Sequence, residues 1–178
     1  MTAIDLSEKL SSSFTLGELA GADDPTWRTA QLAGLSKVPA TGPQDKTVRD
    51  RLRLLAQTIL QPIRDYVGRP VRINSGYRSP EKNASIPGAS KTSQHMLGEA
   101  ADIAVPGMTD AQLKGLFDWI AFQSGLPFGQ VIFEDNRPGA EGGAWIHVSL
   151  GAPFRTKNSG QTLLWTPQGG YQTASKPK

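Results

Sequence analysis

The longest regular pattern of apolar and polar positions in the chain runs from residue 46 to residue 67. Apolar residues recur there every three or four positions, at Val48, Leu52, Leu55, Ile59, Ile63 and Tyr66. This spacing places them on one face of an α-helix, and Gly68 follows as a residue that readily ends one. The pattern predicts the main amphipathic helix of the protein, with a kink expected at Pro62.

Two short helices are predicted nearer the amino terminus. Thr15 is a suitable cap for a helix over LGELA. Asp24 followed by Pro25 is typical of the first turn of a helix, which would continue through TWRTAQLAGL. Together with the main helix, these segments form a predicted helical collar over residues 1–68.

Short β-branched or alternating runs predict strands in the rest of the chain. They lie at 71–74, 100–105, 130–134 and 145–150, and a terminal hairpin is expected in QTLLWTPQGGYQT. A helix that begins after Thr109 separates the second strand from the third. Helices followed by interleaved strands predict an α+β fold, in which a small antiparallel sheet carries helices packed on one side.

A chain of 178 residues is expected to form a single domain. We divide it into the helical collar at 1–68, a core at 69–150 that holds the candidate catalytic residues, and the terminal hairpin with a frayed tail at 151–178. No stretch is apolar for long enough to span a bilayer, and the first residues lack the basic-then-apolar pattern of a secretory signal. We therefore expect neither membrane insertion nor a signal peptide.

Composition restricts the chemistry of any metal site. The chain has no cysteine and only two histidines, so imidazole and carboxylate are the ligands available to a catalytic metal. The net charge of +3 comes from scattered basic residues, without the basic and aromatic clusters that favour nucleic acid. We expect no nucleic-acid partner.

Both histidines lie beside or within predicted strands, and one carboxylate follows the first of them closely. His95 is followed seven positions later by Asp102, and Gly98 between them allows a tight turn that brings a loop histidine near a strand aspartate. His147 lies in the strand predicted at 145–150. Two imidazoles and one carboxylate form a catalytic zinc set that leaves a position for water.

Each of these residues also has an ordinary structural interpretation. A strand histidine is often a half-buried side chain with satisfied hydrogen bonds, and a strand aspartate is often a surface group. Asp102, however, lies between Ala101 and Ile103 in an apolar run. An ionised carboxylate there needs a partner or a metal to offset its desolvation, so the combination favours a metal site.

Three sequence blocks in this order resemble a known peptidase family. They are SGYRS at 75–79, SQHMLGEAADI at 93–103 and WIHVS at 145–149. Together they are similar to the zinc D-alanyl-D-alanine carboxypeptidases and dipeptidases, a group that includes phage endolysins acting as L-alanyl-D-glutamate endopeptidases. The run LQPIRDYVGRPV at 60–71 also looks like the start of this domain in phage-encoded relatives.

The resemblance implies a fold, a cofactor and a ligand set. The fold would be of the Hedgehog and DD-peptidase type, and the cofactor would be Zn²⁺. The metal-binding histidines and aspartate of the family's blocks fall on three residues of this chain, namely His95, Asp102 and His147.

Substrate contacts are implied as well. Arg78, the arginine of SGYRS, would stabilise the charge that develops on the tetrahedral intermediate, while Ser93 and Tyr77 would contact substrate. Two simpler interpretations remain open. Arg78 is also compatible with a loop arginine that bridges backbone carbonyls, and Ser93 with a hydroxyl that caps its loop.

The general base departs from the family pattern. Relatives commonly have a glutamate three residues before the second histidine, where this chain has Ala144. We predict Glu134 as the substitute. A hairpin that pairs it with Trp145 turns it to the face of His147, whereas pairing with Ala144 turns it away. Glu141, in the Gly-rich loop NRPGAEGG, is the alternative base.

Other catalytic patterns are absent from the sequence, which has no HExxH, no GxSxG and no phosphate loop. Three functions are considered: a phage-encoded lysin that cuts peptide stems of peptidoglycan, a D-Ala-D-Ala dipeptidase, and a non-catalytic zinc-bearing module of a phage particle. The first is preferred. We expect a monomer, made in the host cytoplasm, that acts in the cell wall or periplasm or within a phage particle.

Overall fold

The computed structural model describes residues 4–135, 143–154 and 159–177. Its helices are α1 (Leu16–Ala20), α2 (Arg28–Gly34), α3 (Val48–Leu55), α4 (Gln61–Val67), α5 (Pro80–Ser85) and α6 (Asp110–Phe122). A π-helical segment, Ala56–Leu60, joins α3 to α4, and a 3₁₀ helix spans Gln94–Leu97. The strands are β1 (Arg72–Ser75), β2 (Ala100–Ala104), β3 (Phe128–Glu134), β4 (Trp145–Leu150), β5 (Gln161–Thr166) and β6 (Gly170–Thr173).

The helix starts follow the capping signals in two cases and depart from them in one. Thr15 caps α1 in a reciprocal capping box with Glu18, and Thr109 caps α6 in the same way. The start predicted for α2 at Asp24 and Pro25 is wrong, because α2 begins only at Arg28. The Asp24 carboxylate instead accepts from the backbone N–H of residue 26 at 2.9 Å, which favours a turn over a helix.

The main helix is continuous but changes its winding near its middle. The π-helical turn Ala56–Leu60 ends two residues before Pro62, which occupies the first turn of α4. Proline has no N–H and its ring clashes with the carbonyl four residues earlier, so the preceding turn widens rather than breaks. The expected irregularity at Pro62 is therefore a π-helical turn, and Gly68 ends α4 in the left-handed conformation.

The six strands form one sheet in the order β1-β2-β4-β3-β5-β6. Neighbouring strands are antiparallel except for β3 and β5, which run parallel. The α+β class is confirmed, but the sheet is mixed rather than purely antiparallel. β4 follows β3 along the chain and pairs antiparallel with it on one side. The chain then crosses to the other side of β3, where β5 runs in the same direction as β3.

The two faces of the sheet have different chemistry. One face packs on α3, the π-helical turn and α6 and supplies apolar side chains to the core, among them Ala101, Ile103, Val131, Phe133, Ile146 and Val148. Because strand side chains alternate, the intervening residues of β2, β3 and β4 face the other way. That second face carries Asp102, Ile132 and His147 and is called the site face below.

The last strands form the hairpin that the sequence predicts. β5 and β6 pair antiparallel, with Thr166 opposite Gly170 at the turn. Directly after β6, Ala174 is buried and donates its N–H to the carbonyl of Thr162. Among the described residues, no helix combines the length and the apolar character needed to cross a bilayer.

Candidate metal centre

His95 is placed by a short 3₁₀ helix that a glycine ends. Gly98 adopts a left-handed φ of 71° and donates its N–H to the carbonyl of His95. A side chain at Gly98 would also meet the Val48 carbonyl, because a Cβ atom built there lies 2.7 Å from that oxygen. The position therefore requires glycine for two independent reasons, and the predicted tight turn between His95 and Asp102 is present.

Asp102 and His147 are placed by strand pairing. They lie directly opposite each other in the antiparallel pair of β2 and β4, and Ser75 on β1 lies opposite Asp102 on the other side. Cross-strand partners share a face of the sheet, with Cβ atoms close together. The 3₁₀ helix then brings His95 over this pair from outside the sheet.

Three ligand atoms converge at this point. His147 Nδ1 lies 2.9 Å from Asp102 Oδ1. His95 Nε2 lies 3.2 Å from the same oxygen and 3.3 Å from His147 Nδ1. Adjacent ligands of a tetrahedral zinc ion with bond lengths of about 2.0–2.1 Å are about 3.3 Å apart. The triangle therefore has nearly the dimensions of one face of such a tetrahedron.

The donor set also has the right chemistry for the ion. His95 Nδ1 lies 2.7 Å from the carbonyl oxygen of Gly76, which only accepts hydrogen bonds, so Nδ1 carries the proton and Nε2 presents its lone pair. The three residues are buried, with exposed fractions between 3% and 8%. Among the described residues they form a group of histidine and carboxylate ligands compact enough for one metal ion. Two imidazole nitrogens and one carboxylate oxygen fit Zn²⁺.

The electrostatics of the cluster favour the ligand forms of its residues. Burial opposes ionisation of Asp102, but the charges that His95 and His147 carry when protonated, and their hydrogen bonds to the carboxylate in that state, outweigh it and hold the pKa of the carboxyl well below its ordinary value. Burial lowers the pKa of His95, although Asp102 opposes this shift. A carboxylate and a neutral imidazole are the forms that bind metal.

Arg78 orients the carboxylate from behind. Its Nη2 donates to Asp102 Oδ2 at 2.6 Å, and its Nε donates to the hydroxyl of Ser75 at 2.8 Å. The contact with Oδ2 leaves Oδ1 directed at the two histidines. The open alternative for Arg78, a bridge between backbone carbonyls, is not the arrangement in the described residues, where the guanidinium contacts side chains.

Glu134 has the register that its predicted role requires. β3 and β4 pair Glu134 with Trp145 and Ile132 with His147, so Glu134 lies on the site face, two positions along its strand from the partner of His147. Its side chain is buried. Ala144, where relatives have a glutamate, belongs to the apolar core on the opposite side. The alternative base, Glu141, lies outside the described residues.

The two predicted substrate contacts are placed differently. Ser93 is half-buried, makes no capping hydrogen bond to the 3₁₀ helix that follows it, and lines a cavity of about 790 Å³ in the described part of the chain. Tyr77 is only 2% exposed, and its hydroxyl occupies the space that a side chain at Gly34 of α2 would need. The prediction that Tyr77 contacts substrate does not fit this buried position.

The sequence patterns did not predict a buried ion pair that lies beside the site. Arg51 of α3 donates to Glu99 Oε1 at 2.6 Å and to the carbonyls of Thr41 and Pro43 at 2.7 and 2.8 Å. Glu99 directly precedes β2, so the pair ties the 39–46 loop to the strand that carries Asp102. The sequence feature that could have indicated this pair is the position of Arg51, which lies at helical spacing among the apolar residues of α3.

A comparison with protein families agrees with this centre. The family model described as Peptidase M15 matches residues 31–133, which include His95 and Asp102 and end before Glu134 and His147. No curated protein matches the chain. The match covers more than half of the 178 residues. The chain therefore belongs to the peptidase M15 family.

Proposed function

We propose that this protein is a zinc-dependent peptidase that hydrolyses an amide bond in the peptide stem of bacterial peptidoglycan. The observation that carries the proposal is the convergence of His95 Nε2, Asp102 Oδ1 and His147 Nδ1 within 3.3 Å of one another. Membership of the peptidase M15 family supports peptide hydrolysis as the reaction. The sequence blocks shared with cell-wall peptidases support the choice of substrate.

The protein's own residues have separate roles in this proposal. Zinc held by the three ligands would supply a Lewis acid that activates water and polarises a substrate carbonyl. Glu134 accepts a proton from the attacking water, for which its place on the site face is suitable. Arg78 donates one N–H to Asp102 and a second to the hydroxyl of Ser75 in the observed contacts, and it can add positive charge beside the developing oxyanion.

The finer assignment rests on the sequence. The resemblance of residues 60–71 to phage-encoded relatives favours a phage lysin over a metabolic enzyme. The net charge of +3 is compatible with attraction to an anionic cell envelope. We propose a monomer with one peptidase domain over residues 1–178, delivered to the wall by phage machinery or carried in the particle.

The decisive experiment measures bound zinc and the release of new amino groups from purified peptidoglycan. Wild type should hold about one zinc per chain and release amino groups. His147→Ala should lose both, while Glu134→Gln should keep the metal and lose activity by about 100-fold or more. Glu81→Gln, at an exposed glutamate of α5, is the matched control. Metal-free wild type that remains fully active would contradict the proposal.

A second function is supported by one specific observation. Ala144 occupies the position where relatives have a glutamate, and it is buried in the core. A zinc-bearing binding module of a phage particle would not need that base. It predicts one zinc per chain with no amino groups released by wild type. A D-Ala-D-Ala dipeptidase would instead cleave the free dipeptide and release nothing from intact wall material.

A further inference from the structure

A buried glutamine of α2 contacts the chain on both sides of Arg78. Gln31 is fully buried. Its side-chain nitrogen donates to the carbonyl of Tyr77 at 2.7 Å, and its side-chain oxygen accepts from the N–H of Ser79. These groups belong to the two peptide units that flank the Cα atom of Arg78. One amide side chain therefore pairs with the backbone at this residue as a neighbouring strand would.

The same amide also ties this segment to α1. Gln31 Nε2 donates to the carbonyl of Ala20 at 3.0 Å, and Gly21, the residue that ends α1, is close enough that a Cβ atom there would lie 2.8 Å from Nε2. The oxygen and the nitrogen of the amide thus both have partners, all of them backbone groups. An amide in this setting has one orientation, because its oxygen must face an N–H and its nitrogen must face the carbonyls.

Other contacts fix the remaining backbone groups of this segment. Gly76 O lies 2.7 Å from the imidazole Nδ1 of His95, Tyr77 N–H donates to the Leu19 carbonyl, and Arg78 N–H donates to the His95 carbonyl. Through its guanidinium Arg78 then reaches Asp102. A displacement of the peptide units at Arg78 would therefore move its contact with the carboxylate.

We propose that Gln31 is a positioning residue for Arg78, acting through the two peptide units beside it. This inference rests on the proposed peptidase function only where its effect on turnover is concerned, since the contacts of Gln31 involve no metal ligand. Gln31 does not touch the ligand triangle in the observed contacts, so its influence passes through Arg78 and Asp102.

The first test is made without metal or substrate. The Nε–H of Arg78 donates to Ser75, so in ¹⁵N spectra of the metal-free protein it should give a protected signal, assigned by its absence in Arg78→Lys. Gln31→Leu should shift this signal or lose it through exchange with water. Gln57→Leu is the control: Gln57 also donates to a backbone carbonyl distant in sequence, that of Leu10, and its loss should leave the Arg78 signal unchanged. An unchanged signal in Gln31→Leu would overturn the proposal.

A second variant covers the case in which Gln31→Leu does not fold. Gln31→Glu keeps an acceptor for the N–H of Ser79 but regains a donor for the Tyr77 carbonyl only when it is protonated. Its difference from wild type in the Arg78 signal should therefore shrink as pH falls. A difference that does not depend on pH would contradict the assigned hydrogen bonds.

Turnover gives the third readout. Gln31→Leu should reduce kcat by about 100-fold, the scale expected when a charge-stabilising group is misplaced. In an Arg78→Ala background the same change should reduce kcat by less than about twofold, because the group through which it acts is gone. Equal losses in both backgrounds would show a role independent of Arg78. If wild type releases no amino groups, the proposed function fails, while the spectroscopic test still decides the role of Gln31.

Discussion

Arg78 donates to Oδ2 of Asp102 at 2.6 Å, on the oxygen opposite the one that faces His95 and His147. The carboxylate is thus shared between a guanidinium and a candidate metal site. Such partners fix the orientation of a ligand and also compensate its charge. Arg78 therefore belongs to the support of the metal centre as well as to the predicted substrate contacts.

Loss of this arginine should weaken metal binding. We expect Arg78→Ala to reduce zinc affinity by about 10- to 100-fold, the usual cost of losing an outer-shell partner. A titration against a competing chelator measures it. Arg72→Ala, which removes an arginine paired with Asn74 on β1, is the control and should bind zinc like wild type. Unchanged affinity in Arg78→Ala would show that the carboxylate needs no such support.

Position 98 should require glycine for two reasons, namely the close approach of its Cα atom to α3 and its left-handed backbone conformation. Gly98→Ala should destabilise the protein by more than the roughly 1–2 kcal/mol expected for alanine in the left-handed region. Gly68 has the same φ of 71° with no atom within 4 Å of a built Cβ, so Gly68→Ala isolates the conformational cost. Urea unfolding compares the two variants, and equal losses would contradict the clash with the Val48 carbonyl.

The buried pair of Arg51 and Glu99 should be sensitive to removal of one partner. Arg51→Met leaves a carboxylate with 1% exposed side chain inside the protein and should cost about 3–5 kcal/mol of unfolding free energy. Lys114→Met breaks the more exposed pair with Asp118 on α6 and should cost less than about 1 kcal/mol. Denaturant midpoints report both, and a small loss in Arg51→Met would mean that Glu99 is readily solvated.

Alkaline stability should depend on Tyr77. Burial, with a smaller contribution from Glu81, raises the pKa of the Tyr77 phenol from 10.0 to about 12. The folded state thus disfavours ionisation, so this contribution to stability is fully present below pH 10 and is lost as pH rises from 10 to about 12. The loss should reach about 2–3 kcal/mol.

Tyr77→Phe tests this sign. In this variant, the decline in unfolding free energy between pH 10 and 12 should lack the contribution of Tyr77. The ultraviolet absorbance of tyrosinate at high pH should be smaller than in wild type by the amount of one tyrosine. Tyr66→Phe, at an exposed tyrosine, is the control. An identical alkaline decline in Tyr77→Phe and wild type would show that the phenol is not responsible.

Much of the local structure follows from the sequence because its causes are local. Apolar spacing in 46–67, the capping box at Thr109 and the alternation in β4 each depend on residues close together in the chain. The start of α2 was misplaced for the same kind of reason, since Asp24 forms a turn with its own neighbours as readily as it caps a helix.

The amino-acid sequence by itself determined which residues are available as ligands: two histidines, no cysteine and an aspartate within an apolar strand. Only the tertiary structure decided their geometry, because strand register sets Asp102 opposite His147 and turns Glu134 to the site face. The parallel pairing of β3 with β5, the burial of Tyr77 and the contacts of Gln31 also join segments far apart in sequence. Packing between distant segments leaves no local periodicity, so sequence patterns alone cannot specify it.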